Sequence, residues 1–286
     1  MSDNINVTQE SEAAEEFSLK DFLARCLSKW RWFAVSIVLF CCLGVLYVLR
    51  QQPVYSRSME LLIKDQDGGG GVADISNAFS SLGLVSSNTN VNNELISLSS
   101  PAVMYEVVKN LGLDVNYSTP GRFHEKTLYG SNLPVNVKFH DLEEQQCAGF
   151  RIELGKDGNV VLSKFHLETP DGDEEIEKEV KAKIGAGPIE TPVGKVSITA
   201  NGNYTAPKGK KNKPVTEIIV ERDGMQSTVE TYSGLVKADL ADKDADVIDL
   251  SMKDVSTQRA VDVLNEIVAV YNDNWVYDKN RVAVAT

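Results

Sequence analysis

The chain is poor in the residues from which small chemical sites are built. It has three histidines, His124, His140 and His166, and four cysteines. No two histidines stand four apart, and none joins a cysteine in a zinc-type spacing, so no metal site is expected. Cys26 precedes a long apolar run, Cys41 and Cys42 lie within it, and only Cys147 comes after it, so that last part of the chain has no disulfide framework. There is no Gly-x-Ser-x-Gly elbow for a serine nucleophile. The four glycines after Asp67 run into Val72, and Gly-Lys-Ser/Thr occurs nowhere, so a flexible loop is expected rather than a phosphate loop. Asp242, Asp244 and Asp246 start with calcium-loop spacing, but Val247 replaces the required glycine and Lys253 the bidentate acid, which leaves a charged turn. The acidic residues between Gly172 and Glu179 are expected to be a solvated surface rather than an acid/base pair. No catalytic residue and no cofactor are expected. Positive charge is also scarce: the net charge is -12, of which -10 falls on the apolar run and the residues after it. Such a surface repels phosphate backbones, so nucleic acid is excluded as a partner.

What the sequence does have is one uncharged stretch, Trp32 to Leu49, WFAVSIVLFCCLGVLYVL. A helix of that length spans ~27 Å, close to the apolar thickness of a bilayer. Its Phe, Val, Ile and Leu residues favour insertion by about 3 to 7 kcal/mol. Trp30, Trp32 and Tyr47 stand at interfacial positions. Leu49 is followed by Arg50-Gln51-Gln52-Pro53, which is not a signal-peptide cleavage site, so the anchor is expected to stay attached. Lys20, Arg25, Lys29 and Arg31 precede it, against Arg50, Arg57 and Lys64 after it, which favours a cytoplasmic N-terminus and a single pass.

Along the chain, residues 1–16 form an acidic tail expected to be disordered. Residues 17–31 form a juxtamembrane helix, opened by Ser18 and Asp21 as a capping box and by Phe17 and Phe22 as a hydrophobic staple. Tyr55 to Lys64 alternates as a strand with Met59 and Leu61 on one face. Asp74 caps a short helix that Gly83 stops. In NELISLSSPAVMYEVVKNLGLD, Ser100 is an N-cap, Pro101 takes the first helical position, Val103, Val107, Val108 and Leu111 make a buried face, and Gly112 ends the helix.

From Tyr117 to about Pro214 the period becomes strand-like, with Val135, Val137 and Phe139 alternating and a hairpin turn at Gly155-Lys156-Asp157-Gly158. The lysine-rich loop from Pro207 to Pro214 is expected to be a solvated tip. Ile218 to Val220 forms a strand, Gln226 to Tyr232 a short helix, and Leu235 to Leu240 with Val247 to Met252 a hairpin. Ser256 then caps a long helix in which Val261, Leu264, Val268, Tyr271 and Trp275 repeat at steps of three and four, with Val263, Ile267 and Val270 as a second stripe. The first stripe is the candidate assembly or packing surface. The pattern is still running at Thr286, so a truncated product of a longer protein is expected.

With the anchor, VYSRSMELLIK, NELISLSSPAVMYEVVKNLGLD and KDVSTQRAVDVLNEIVAVYNDNW in this order, the chain resembles the chain-length determinant (Wzz-type) family of polysaccharide co-polymerases. The resemblance covers roughly residues 17–116 and 216–286. It implies an α+β protein: an N-terminal transmembrane helix (32–49), a periplasmic α/β domain (50–116 and 215–286) with a β-rich insert (117–214), and a long C-terminal helix. It also implies a homo-oligomer in the bacterial inner membrane. That oligomer works with a polysaccharide polymerase or exporter, and with the growing glycan, to set the chain length of capsule, exopolysaccharide or O-antigen. Larger members often end in a cytoplasmic tyrosine kinase, which this chain does not contain. Two alternatives stay open. One is an anchored periplasmic enzyme with its site in the insert. The other is a glycan-binding module presenting Tyr117, Phe123, Tyr129 or Tyr204 on one surface.

Overall fold

The computed structural model describes residues 29–62, 88–121, 124–169, 172–206, 214–242 and 247–285. The expected acidic tail, most of the juxtamembrane helix, the glycine loop, the Asp74 helix, Phe123, the lysines of the 207–213 loop, Asp244 and Asp246 lie outside them. The protein is α+β, 37% helical and 38% strand, and divides into a unit ending at Gln51 and a unit beginning at Gln52.

The described part of the first unit is helix α1, Trp30–Arg50, which is long and apolar enough to cross a membrane. None of its side chains is buried by protein, and Phe40, Tyr47 and Val48 are more than two-thirds exposed. A helix apolar on every side and covered by nothing is unstable in water and matched to lipid.

The second unit holds two hydrophobic cores. The first is built on a three-stranded sheet in the order β1 (Tyr55–Leu62), β13 (Val247–Asp254), β12 (Val236–Leu240), antiparallel throughout. Period-two alternation sets the register. Met59 stands opposite Leu250 and Leu61 opposite Ile248, and all four turn toward the core. Four helices pack there: α2 (Asn88–Leu98), α3 (Pro101–Leu111), α4 (Met225–Leu235) and α5 (Thr257–Ala285).

Helix α3 has the ends read from its sequence. The Ser100 hydroxyl accepts from Ala102 N at 3.2 Å, Pro101 occupies the first turn, and Gly112 takes φ 61 after the last residue. That left-handed step lets Leu113 N donate to Val108 O at 3.0 Å while both side chains stay buried, the arrangement of a Schellman cap. The buried face is Val103, Met104, Val107 and Val108, with Leu111 only partly covered.

The second core is a two-sheet sandwich. One sheet runs β3 (Lys126–Thr127), β2 (Val115–Thr119), β11 (Glu217–Arg222), β5 (Ala148–Leu154), β6 (Asn159–Thr169), β7 (Gly172–Ile176), with β8 (Val180–Lys183) also on β6. The other runs β4 (Val135–Phe139), β10 (Gly194–Ala200), β9 (Pro188–Thr191). Val135, Val137, Val196 and Ile198 from the small sheet share one core with Phe150, Ile152, Leu162, Phe165, Ile218 and Val220 from the large one. Phe150 meets Phe165 and Phe139 at ring centroid distances of 5.6 and 5.8 Å, spacings that favour offset and edge contacts.

The β5–β6 hairpin turns at Asp157 and Gly158, both with positive φ. Strand β11 sits between β2 and β5, so the large sheet takes in Val115 and Asn116 before Tyr117 and reaches past Pro214 to Arg222. The sequence alone hides this, because a central strand's neighbours are not written in its own pattern.

Candidate functional site

The long helix α5, Thr257–Ala285, carries the candidate packing residues and has a polar joint at its base. Asp254 ends β13 at a position that continues the inward register of Ile248, Leu250 and Met252. A carboxylate there needs a partner. One oxygen accepts from Ser256 N at 2.6 Å and from Arg259 Nη2 at 3.0 Å, and the other accepts from Arg259 Nε at 2.9 Å. The Ser256 hydroxyl accepts from Arg259 N at 3.3 Å, which caps α5 as its sequence implied. The Arg259 guanidinium also donates to Asn116 on β2 at 3.3 Å and lies about 6 Å from the rings of Tyr129 and Tyr232.

A second inward charge, Arg222, ends β11 in the register of Ile218 and Val220. It donates to Asp114 at 3.1 Å and to the carbonyls of Glu143 and Gln146 at 2.8 and 3.0 Å. Gln258 on the first turn of α5 accepts from Ser131 N at 3.2 Å, against Gly130, whose φ of 57 and missing side chain leave it the room. These bonds fasten the start of α5 to the sandwich and border a cavity of about 600 Å³ that Tyr129, Arg259 and Asp262 help to line.

Sequence reasoning missed Arg259, Asp254 and Arg222. The available signal was a charged residue falling on the inward beat of an apolar strand, once in β11 and once in β13.

Of the five residues singled out on α5, Leu264 is buried, Val268 and Tyr271 are partly buried against the same core, and Val261 and Trp275 are exposed. The face that packs within the subunit is Ala260, Val263, Leu264, Ile267 and Val270. Val261, Val268 and Trp275 fall seven residues apart along its border, and the exposed Val276 and Tyr277 continue the apolar surface. Tyr271 donates to Glu94 on α2, Asn110 on α3 donates to Glu266 at 2.8 Å, and Asn274 donates to Glu106 on α3 at 3.4 Å. The helix is thereby held by its neighbours up to about Asn274. Burial together with the Glu94 carboxylate pushes the Tyr271 pKa up.

Of the aromatics considered for glycan stacking, Tyr117 and Tyr129 help to line the same cavity. The Tyr117 hydroxyl accepts from Val137 N at 2.9 Å and donates to Val137 O at 3.3 Å, and burial pushes its pKa up to about 12. Tyr129 packs against the first core, and burial followed by the Asp262 carboxylate pushes its pKa up as well. Tyr204 is half-buried. His140 shares a 2.6 Å hydrogen bond with Ser197 Oγ, and His166 lies over Gly149. Among the described residues no three His, Cys, Asp or Glu side chains are placed to hold a metal ion.

What these elements make is a scaffold: capped helices, a fastened joint, and a long helix with one apolar border left open. Residues 15–111 match the family model described as Wzz, Chain length determinant protein, in agreement with the resemblance drawn from the sequence. The match takes in α1, β1, α2 and α3 and ends on the last residue of α3. No curated protein matches the chain. Proteins of the Wzz family determine polysaccharide chain length as non-catalytic co-polymerases. They are associated with the inner membrane, act with polymerase machinery and are generally oligomeric.

Proposed function

We propose that this chain is a membrane-anchored polysaccharide co-polymerase that regulates the length and export of capsule, exopolysaccharide or O-antigen. The observation that carries the reading is the family match over residues 15–111, which takes in both the membrane-length helix α1 and the capped helix α3.

In this reading α1 crosses the inner membrane once with its N-terminus inside, and the residues beyond it lie in the periplasm. Residues 50–116 and 215–286 form the chain-length-determinant domain, and 117–214 its insert. Identical copies pack side by side along the border of Val261, Val268 and Trp275, with Leu264 and Tyr271 holding the helix to its own subunit. The assembly then works beside a polymerase or exporter and governs how long a lipid-linked glycan is extended. Chemistry stays with those partners, since a packing border offers shape and proximity rather than proton transfer.

The test is deletion of the gene in a strain with no second copy of such a gene, followed by a gel of the extracted surface glycan. A changed modal length is expected, and an unchanged distribution overturns the reading. A reporter that is active only outside the cytoplasm, fused after Asp114, should be active. Activity of a cytoplasmic reporter at that site reverses the topology.

A further inference from the structure

The outer face of the seven-stranded sheet carries a built groove that the assembly border does not use. Register places Asn116, Glu221, Gly149, His166 and Glu175 side by side across five strands. With neighbouring strands about 4.8 Å apart, that row is about 19 Å long, room for several sugar rings in line. Ser118, Ile219, Arg151 and Ser163 form the next row. Two clefts of about 450 and 210 Å³ share Glu125, Ile219 and Glu221, so they make one continuous groove, which begins where Gln52 Nε2 donates to Glu125 O at 2.7 Å.

Two backbone features mark this face as more than a solvated surface. Gly149 has no side chain where a Cβ would stand 2.2 Å from His166 Cε1 and 2.7 Å from Val220 O, so the imidazole occupies a notch in the sheet. Beside it, Lys164 and Phe165 of β6 oppose Phe150 alone. The bulge holds Lys164 at φ 50, a conformation that disfavours a side chain with a Cβ. Bulges of this kind re-aim side chains, and here the strained residue lines the larger cleft.

The lining combines carboxylate acceptors with Arg151, Lys164 and imidazole donors over apolar surface from Phe150, Phe165, Ile176 and Ile219, which suits a ligand with hydroxyl groups around apolar ring faces. Its carboxylates, Glu125, Glu175, Glu177 and Glu221, outnumber its cations, and Arg151 is already paired with Glu217. An acidic glycan would be repelled and an amine-bearing one attracted.

We infer that this groove binds an extended stretch of neutral or amine-bearing glycan. The identity of the ligand rests on the co-polymerase reading; the groove itself rests on the register and the bulge. The experiment is calorimetric titration of the full chain in detergent with glucosamine hexamer, cellohexaose and hexagalacturonate. Saturable binding is expected for the first two, tightest for glucosamine hexamer, with none for hexagalacturonate. The double variant Glu175→Lys/Glu221→Lys should lose at least tenfold in affinity for glucosamine hexamer at an unchanged unfolding temperature. Glu230→Lys, on α4, should lose nothing. Absence of saturable binding, tightest binding of hexagalacturonate, undiminished affinity in the double variant, or an equal loss in Glu230→Lys each overturns the inference. The two readings fail separately. A deletion that alters glycan length in a protein that binds none of the three sugars removes only the groove. Binding that the double variant abolishes, in a strain whose glycan lengths never change on deletion, removes only the co-polymerase function.

Discussion

The two cores of the second unit are built from the same kinds of residue but gathered in opposite ways. The sandwich comes from one continuous stretch, 115–222, whose strands pair mostly with near neighbours. The other core is assembled from two remote stretches, with β1, α2 and α3 on one side of the sandwich in sequence and α4, β12, β13 and α5 on the other. The family match reaches only the first of those stretches. An inserted module of local contacts can be added to a scaffold of distant contacts if its ends lie close together. Here they do, since β2 and β11 are adjacent antiparallel strands. Besides Tyr129, which packs against the first core, polar groups join the two cores: Arg259 reaches from α5 to β2, and Arg222 from β11 to Asp114 and the carbonyls before β5.

The sharpest break in that comparison is a charge on α5. Leu264→Asp places an unpaired carboxylate in the first core and should cost about 4 kcal/mol or more, seen as loss of cooperative thermal unfolding by circular dichroism. Val261→Asp, three residues earlier on the exposed border, should change stability by less than about 0.5 kcal/mol yet lower the oligomer mass measured by light scattering. Equal destabilisation by both would mean the border packs within the subunit.

Next in size is Phe150→Ala, which empties the centre of the sandwich and should cost about 3 to 4 kcal/mol. Hydrogen exchange should accelerate over residues 115–222 while β13 and the base of α5 keep their protection. Uniform acceleration would show that the two cores unfold as one.

Alkali should weaken both cores together. Burial raises Tyr117 in the sandwich and Tyr232 in the other core to about 12 from an ordinary value of 10. A group whose folded pKa is raised contributes stability that is whole below its unfolded value and is lost as pH climbs to the folded one. Stability should therefore be level below pH 10 and fall between pH 10 and about 12, by on the order of 2 kcal/mol for each tyrosine. Tyr117→Phe should flatten that fall in denaturant titrations, at the cost of leaving Val137 N unbonded.

The smallest effect is expected from Ser100→Ala, about 1 kcal/mol, confined to the first core and read from the same titrations.

The elements with local signals were legible in the sequence. The uncharged run gave α1, serine, proline and glycine in order gave α3 with both its caps, and Asp157-Gly158 gave the β5–β6 turn. Alternation gave β1, β4 and the β12–β13 hairpin. Partners were not legible. Nothing in Ile218 to Val220 tells that β11 lies between β2 and β5, and nothing in a double stripe tells which half faces its own subunit. The stripe of Val263, Ile267 and Val270 proved to be the inward one because β1 and β13 lie under it. The joint at Arg259 and Arg222 depends on long-range pairing as well, though the inward registers of Asp254 and Arg222 could have raised the question. The groove behind the sandwich needs five strands in register before it exists at all.

Strand β1 leaves the ribosome early and pairs, among the described residues, with β13, its first residue Tyr55 lying opposite Asp254, roughly 200 residues later. At ~5 to 20 residues per second, about 10 to 40 seconds of synthesis separate the two. Late in that interval, once β11 has emerged, the sandwich can complete its sheets, while β1, next in sequence after the apolar anchor, still offers an unpaired strand. Newly made chains would thus pass through a half-finished stage in which their aggregation risk sits in the first strand after α1. A chaperone acting on nascent copies would find its target there.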